Sequence, residues 1–321
     1  MKIIITGGTG FIGTNLCLFL LRKENIKLVT LVDNFKTSDN KNLDKIIKHD
    51  SKKIVKFINC SISDDKLINK LLNVSKKFDF FFHLAAQSSG ENSFYEPMYD
   101  IDTNILGTKN SLLIAKGLKI KHYIFTSTMS VYGNVKSKKS ITEKFKLFPK
   151  SIYGLSKLIS EDYINLFCKS KKLKYTILRL FNVYGPYQDL NNLKQGMLSI
   201  YLHYLLNKKK LIVKGSPNRT RDFIFIEDLC EALWLIMKKK PSNQIYNLGT
   251  GKSVSVKKLI NYMFKSLDLD LKKYAISYLS STPGDVIGFK ADISKIKKFI
   301  NWYPKTDIKN GLNKTITFYK K

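Results

Sequence analysis

Lys2-Ile3-Ile4-Ile5-Thr6-Gly7-Gly8-Thr9-Gly10-Phe11-Ile12-Gly13 decides the fold of this 321-residue chain. The short β-branched run predicts a buried strand over 2–6, and the apolar residues from Phe11 to Arg22 predict a helix directly after it. Between them, the glycines at 7, 10 and 13 predict a turn that lets backbone approach a pyrophosphate, with Phe11 and Ile12 at the helix N-terminus aimed at it. About twenty residues on, Asp33 and Asn34 close a second predicted strand over 27–32. An acid there is placed to accept hydrogen bonds from both hydroxyls of an adenosine ribose while repelling the extra phosphate of NADP. The expected cofactor is NAD.

Outward from this turn the same rhythm repeats. Strands are predicted over 54–58, 78–83, 122–126 and 175–179, with helical patterns over 64–74, 100–116 and 153–169 between them. Such alternation is the mark of right-handed βαβ units, so the expected class is α/β with a doubly wound parallel sheet. From about Phe181 longer loops take over, carrying Pro186, Pro217, Pro241, Pro283 and Pro304. The expected division is a dinucleotide-binding domain over 1–180 and a smaller α/β substrate-binding domain over 181–321. Strands over 223–226 and 244–247 are candidates to rejoin the main sheet.

Composition narrows the function. The net charge of +31 raises nucleic-acid binding, because basic faces gain affinity by releasing phosphate counterions. Clustering is what matters, however, and only four of the 56 basic residues are arginine while the lysines are strewn along the whole chain. They read as solvated lysine faces. Cys17, Cys60, Cys168 and Cys230 lie too far apart to suggest a zinc site, a redox pair or a disulfide framework, and the four histidines are equally scattered. No apolar stretch approaches the ~20 residues of a membrane span, and the glycines after Ile5 leave no room for a secretory core. A cytoplasmic protein with no metal, membrane or nucleic-acid partner is expected.

Tyr153-Gly154-Leu155-Ser156-Lys157 places a phenol and an ammonium four residues apart, on one face of a predicted helix. A nearby cation favours phenolate, so Tyr153 is expected to act as general acid and base.

With these residues in view, the chain resembles the extended short-chain dehydrogenase/reductase family, and within it the nucleotide-sugar epimerases and dehydratases. The resemblance runs nearly end to end: Thr6 to Gly13, His83 to Gln87, Asn104 to Thr108, Thr126 to Gly133, Tyr153 to Lys157, Arg179 to Pro186, Arg221-Asp222-Phe223 and Asn247-Leu248-Gly249. It implies a Rossmann-type fold, Thr128 as a hydroxyl bonded to the reacting sugar alcohol, Tyr153 as acid/base and Lys157 on the nicotinamide ribose. Asn104 is implied near the active site, supporting the lysine. In Leu84-Ala85-Ala86 the alanines let the cofactor pass close to the fourth strand. Ser61-Ile62 stand where an Asp usually meets the adenine amino group. Asn182 and Arg221 match holders of a nucleotide-sugar diphosphate, a task that suits an amide and a guanidinium fork, and Asp285 belongs to the same substrate side. A homodimer through the helices around 100–116 and 153–169 is implied as well.

Two positions separate the reactions. Dehydratases and decarboxylases of the family carry an acidic residue directly after the catalytic Thr, whereas this chain has Met129-Ser130, which perform no acid/base work near neutral pH. That leaves epimerisation at C4 of a UDP-sugar through a transient 4-keto sugar as the expectation, with a dehydratase or reductase of the same fold as the alternative and a non-catalytic nucleic-acid binder as a remote one. One departure stands out. Thr282 occupies the place where many UDP-sugar epimerases have an Arg before Gly-Asp, and Arg219 and Lys290 are the candidates to compensate.

Overall fold

The computed structural model describes residues 1–135 and 140–320. Seven parallel strands form the central sheet. In chain order they are β1 (Lys2–Thr6), β2 (Leu28–Asp33), β3 (Val55–Asn59), β4 (Phe80–His83), β5 (His122–Thr128), β6 (Tyr175–Leu180) and the late strand Gln244–Leu248. Their order across the sheet is Gln244–Leu248, β6, β5, β4, β1, β2, β3. The chain therefore starts in the middle, winds to one edge, crosses back and winds to the other. The gap opened between β1 and β4 by that reversal is where ligands enter doubly wound sheets.

Both faces of the sheet are covered, which explains the unbroken apolar runs. Ile3 and Ile5 bury into one core layer and Ile4 into the other; Phe80 and Phe82 oppose Phe81 in the same way. The first layer is closed by the helices Phe11–Leu21, Ile226–Lys239 and Ile308–Tyr319, the second by Leu67–Val74, Gly107–Gly117 and Ile152–Lys171.

One helical expectation needs correction. The pattern over 100–116 is two pieces, a π-helical turn Ile101–Leu106 and an α-helix Gly107–Gly117. Gly107 is pressed against Ile62, where a Cβ would stand 2.7 Å from its Cγ2, and the wide turn before it aims Asn104 inward. A helix over Asn40–His49, capped by Asp39, also escaped the apolar periodicity because only Ile46 of it is buried.

After β6 the chain leaves the sheet for a mixed three-stranded sheet, Ser253–Ser255, Thr220–Phe225 and Asn182–Tyr184, and a parallel pair, Leu211–Lys214 with Ile276–Leu279. Arg179 is a structural anchor: its guanidinium pairs with buried Glu161 at 2.7 Å and also donates to the Tyr132 hydroxyl and the Glu143 carbonyl. Among the described residues no helix is long and apolar enough to cross a membrane.

Candidate functional site

A cavity of about 1070 Å³ runs from the C-terminal ends of β1 and β2 to the loops of the second half. At one end lies the glycine turn. Gly7 has φ +67°, and a Cβ on it would meet the Ala85 backbone nitrogen at 2.8 Å; one on Gly13 would stand 2.1 Å from the Gly7 carbonyl oxygen. Only glycine allows strand, helix and the segment after β4 to close up this tightly. Gly10 caps the helix Phe11–Leu21 without a side-chain bond, so the positive end of the helix opens on the cavity lined by Gly7, Gly10, Phe11, Ile12 and Gly13.

Asp33 ends β2 at the rim. Its carboxylate accepts from the amides of Thr9 (3.1 Å) and Phe35 (3.0 Å) and from Ser38 Oγ (3.2 Å), which fixes its orientation. A carboxylate offers about four lone-pair positions, so acceptor capacity remains. Asn34, Ser61, Ile62, Leu84, Ala85 and Ala86 line the same end. Ser61 Oγ lies 2.9 Å from Ser63 Oγ, and Ser63 in turn donates to Asp102.

At the middle of the cavity three groups converge. Thr128 closes β5 beside Tyr153, and its hydroxyl donates to Ser130 Oγ and accepts from the Ser130 amide, both at 3.2 Å. Tyr153 and Lys157 project from successive turns of the helix Ile152–Lys171, whose N-terminus is capped by Ser151. The helix is held close to the sheet because Gly154 packs on the Ser130 carbonyl, where a Cβ would stand 2.8 Å away. Lys157 is 2 % exposed, with its ammonium 3.9 Å from the centre of the Phe125 ring.

Burial works against the shift toward phenolate expected from the nearby cation. It pushes Tyr153 up to about 12, against the opposing effect of the Thr128 hydroxyl, and pulls Lys157 down to about 7, against the nearby charges of Asp100 and Glu161. In both groups removal from water is the largest cause, and it disfavours the charged form.

Asn104 does not line the cavity. It is buried behind the site, donating from Nδ2 to the Gln87 carbonyl and to Ser156 Oγ, both at 3.0 Å. Its place is that of a brace between the segment after β4 and the helix that carries Tyr153.

The far end of the cavity is lined by Asn182, Tyr201, Arg219, Arg221, Thr282 and Asp285. Asn182 Nδ2 donates to the Asp222 carbonyl at 3.1 Å. Asp285 accepts from Arg221 Nη2 at 2.6 Å and from Arg219 Nη1. Asp285, expected to touch substrate, has its carboxylate engaged by two guanidinium groups. Lys290 is not among the lining residues. Sequence reasoning missed Tyr201, since within Met197–Leu206 it reads as one more apolar core position. It also missed the strap across the mouth, where Ser89 Oγ donates to the Lys194 carbonyl and Glu91 pairs with Lys214 at 2.7 Å.

Comparison with known proteins agrees with this layout. Residues 4–315 match the family model for GDP-mannose 4,6 dehydratase. A protein of Methanocaldococcus jannaschii described as "Putative UDP-glucose 4-epimerase" is 33% identical, the alignment covering 99% of this chain and 98% of that one. The structure of UDP-glucose 4-epimerase from Thermotoga maritima with UDP-glucose superposes with a TM-score of 0.91 at 30% identity, covering 100% of this chain and 99% of that one. UDP-glucuronic acid 4-epimerase from Bacillus cereus, in complex with UDP-glucuronic acid and NAD, gives 0.90 at 27% with the same coverage. Because the likeness extends along essentially the whole sequence and is not confined to the glycine turn, the chain belongs to the GDP-mannose dehydratase-like, extended short-chain dehydrogenase/reductase family of NAD-dependent nucleotide-sugar epimerases and dehydratases.

Proposed function

We propose that the protein is an NAD-dependent nucleotide-sugar 4-epimerase acting on a UDP-sugar. The observation that carries this reading is the composition of the cavity centre. Thr128, Tyr153 and Lys157 stand together there, and the positions directly after Thr128 are Met129 and Ser130. The first three supply the proton transfer that accompanies hydride loss from a sugar alcohol, and the latter two supply nothing that eliminates water or assists decarboxylation.

A dinucleotide fits the glycine end on three observations: the uncapped helix terminus, the glycine cradle that any Cβ would fill, and the oriented Asp33 carboxylate with acceptor capacity left. Gly7, Gly10 and Gly13 would hold the pyrophosphate, Asp33 the adenosine ribose and Lys157 the nicotinamide ribose. When bound, NAD supplies a hydride acceptor and then donor at the sugar carbon, and its positively charged ring adds the field that favours phenolate at Tyr153.

The chain's own groups move the proton. Tyr153 Oη takes it from the sugar 4-hydroxyl and returns it after the 4-keto sugar has presented its other face, while the Thr128 hydroxyl keeps phenol and alcohol aligned. Because the same oxygen must serve both directions, the nucleotide is held at the arginine end and the sugar is left free to turn. Residues 1–180 are read as the cofactor part and 181–321 as the substrate part, with the strand Gln244–Leu248 crossing back into the sheet.

We read the protein as a cytoplasmic homodimer. The helices Gly107–Gly117 and Ile152–Lys171 leave Leu113, Leu155, Ile159 and Leu166 exposed, an apolar face suited to a second copy of itself. Light scattering of the intact protein tests this, with L166E expected to shift mass toward monomer.

The activity is tested by incubating the purified protein with UDP-glucose, UDP-N-acetylglucosamine and UDP-glucuronate, without added cofactor, and following products by NMR. Appearance of 4-epimers with no net NADH supports the reading. A 4-keto-6-deoxy product overturns it in favour of dehydration.

A further inference from the structure

The loop between Leu211–Lys214 and Thr220–Phe225 delivers Arg219 to the cavity wall two residues before Arg221. Alternate positions on an extended segment share a face, so the two guanidinium groups lie side by side. Both are more than nine-tenths buried, and a single carboxylate, Asp285, accepts from each of them. Two buried cations against one anion leave an excess positive charge on this wall. Arg219 and the Tyr201 hydroxyl are buried against each other, with no further partner for Arg219 Nε. Both arginines line the cavity, so an anion bound there can balance the excess charge. The room for the guanidinium is built in, since Gly215 has φ +81° and a Cβ there would stand 2.1 Å from Arg219 Nη1.

We propose that Arg219 grips the diphosphate of the nucleotide substrate beside Arg221, and that Asp285 is a positioning residue that aims both guanidinium groups without touching the ligand. The proposal rests on the nucleotide-sugar reading given above. Two planar forks, each suited to bidentate contact, match two linked phosphates better than one phosphate or a carboxylate. It also resolves the anomaly at Thr282, which lines the same wall with a neutral side chain. Lys290 does not reach the cavity and offers its backbone carbonyl to Ile141. The guanidinium that resemblance expects at position 282 has moved to position 219.

The test is calorimetric titration of the protein, with its retained cofactor, against UDP, UMP and uridine. R219Q is expected to weaken UDP by about tenfold or more while UMP and uridine shift less than about threefold. R219K keeps charge but loses the fork and is expected to weaken UDP by several-fold. R219Q/T282R, returning a guanidinium to the wall from the other loop, is expected to recover most of the UDP affinity. Equal losses for UDP, UMP and uridine, or UDP affinity unchanged in both R219Q and R219K, overturn the assignment. Should R219Q fail to fold, R219K alone decides. If the wild-type protein binds none of UDP, dTDP or GDP, the nucleotide reading itself falls, and this assignment with it. Wild-type UDP binding with an indifferent Arg219 removes only the latter.

Discussion

The two ends of the cavity are both built to receive anions, and they do it with opposite materials. At the glycine end the groups are mainly backbone, an uncapped helix terminus and a turn whose Gly7 and Gly13 leave no room for a Cβ, beside the Asp33 carboxylate oriented by neighbouring amides. At the arginine end they are side chains drawn from four separate stretches, around residues 182, 201, 219–221 and 285. Backbone sites are rigid and cheap to desolvate, because their partial charges need no counter-ion. A wall of buried arginines holds full charges that must be braced, here by Asp285. The first suits a ligand that stays, the second a ligand that comes and goes. Tyr153 stands between them.

That contrast predicts how variants should differ. Y153F lies at the junction and should have the largest effect, a loss of about 10³-fold or more in turnover with cofactor retention and nucleotide affinity unchanged, read by NMR kinetics and absorbance. D285N strips the brace from the arginine end only. It should cost about 3 kcal/mol in unfolding free energy, partly regained on adding UDP, while cofactor content stays that of wild type. Loss of cofactor in D285N would break the separation of the two ends.

G13A attacks the other end, where its Cβ would stand 2.1 Å from the Gly7 carbonyl oxygen. It should release the cofactor and destabilise by about 2 kcal/mol in urea denaturation.

The pH dependence reports on the junction. Lys157 titrates near 7 when folded against an ordinary 10.5, so the unfolded chain binds more protons between pH 7 and 10. The burial penalty is complete below pH 7 and is relieved as pH rises through that window, giving up to about 1 kcal/mol of added stability per pH unit. Tyr153, raised to about 12, acts in the opposite sense above pH 10, where only the unfolded phenol ionises. K157M should flatten the rise between pH 7 and 10 in chemical denaturation of the ligand-free protein.

The smallest effect belongs to the Glu91–Lys214 pair, whose side chains are 24% and 45% exposed. E91Q should change stability by less than about 0.5 kcal/mol, and a larger loss would mean that the strap helps to shape the arginine end.

How much of this could be read in advance follows the same division. The glycine turn, Asp33 and the Tyr153-Lys157 pair are local in sequence, and their spacing is dictated by one strand, one turn or one helix. The helical turn at Ile101–Leu106 was not legible as π, because a wide turn differs from an α-turn by one residue of hydrogen-bond register and leaves the apolar pattern almost intact. The supporting role of Asn104 was implied by resemblance, but not its partners, Gln87 and Ser156, which meet it across 17 and 52 residues of chain. The opposing effect of burial on Tyr153 and Lys157 was not legible either, since burial is a property of the packed fold and not of the spacing of Tyr and Lys.

By itself, the sequence determined the doubly wound class, the dinucleotide turn and the family, because these rest on short-range patterns that repeat wherever that backbone geometry is needed. Only the tertiary structure decided which cation faces the cavity, that Arg219 lines it and Lys290 does not, and that Asp285 braces arginines. Charge positions on loops are set by long-range packing, and no local periodicity encodes which of two distant cations ends up buried beside the same carboxylate.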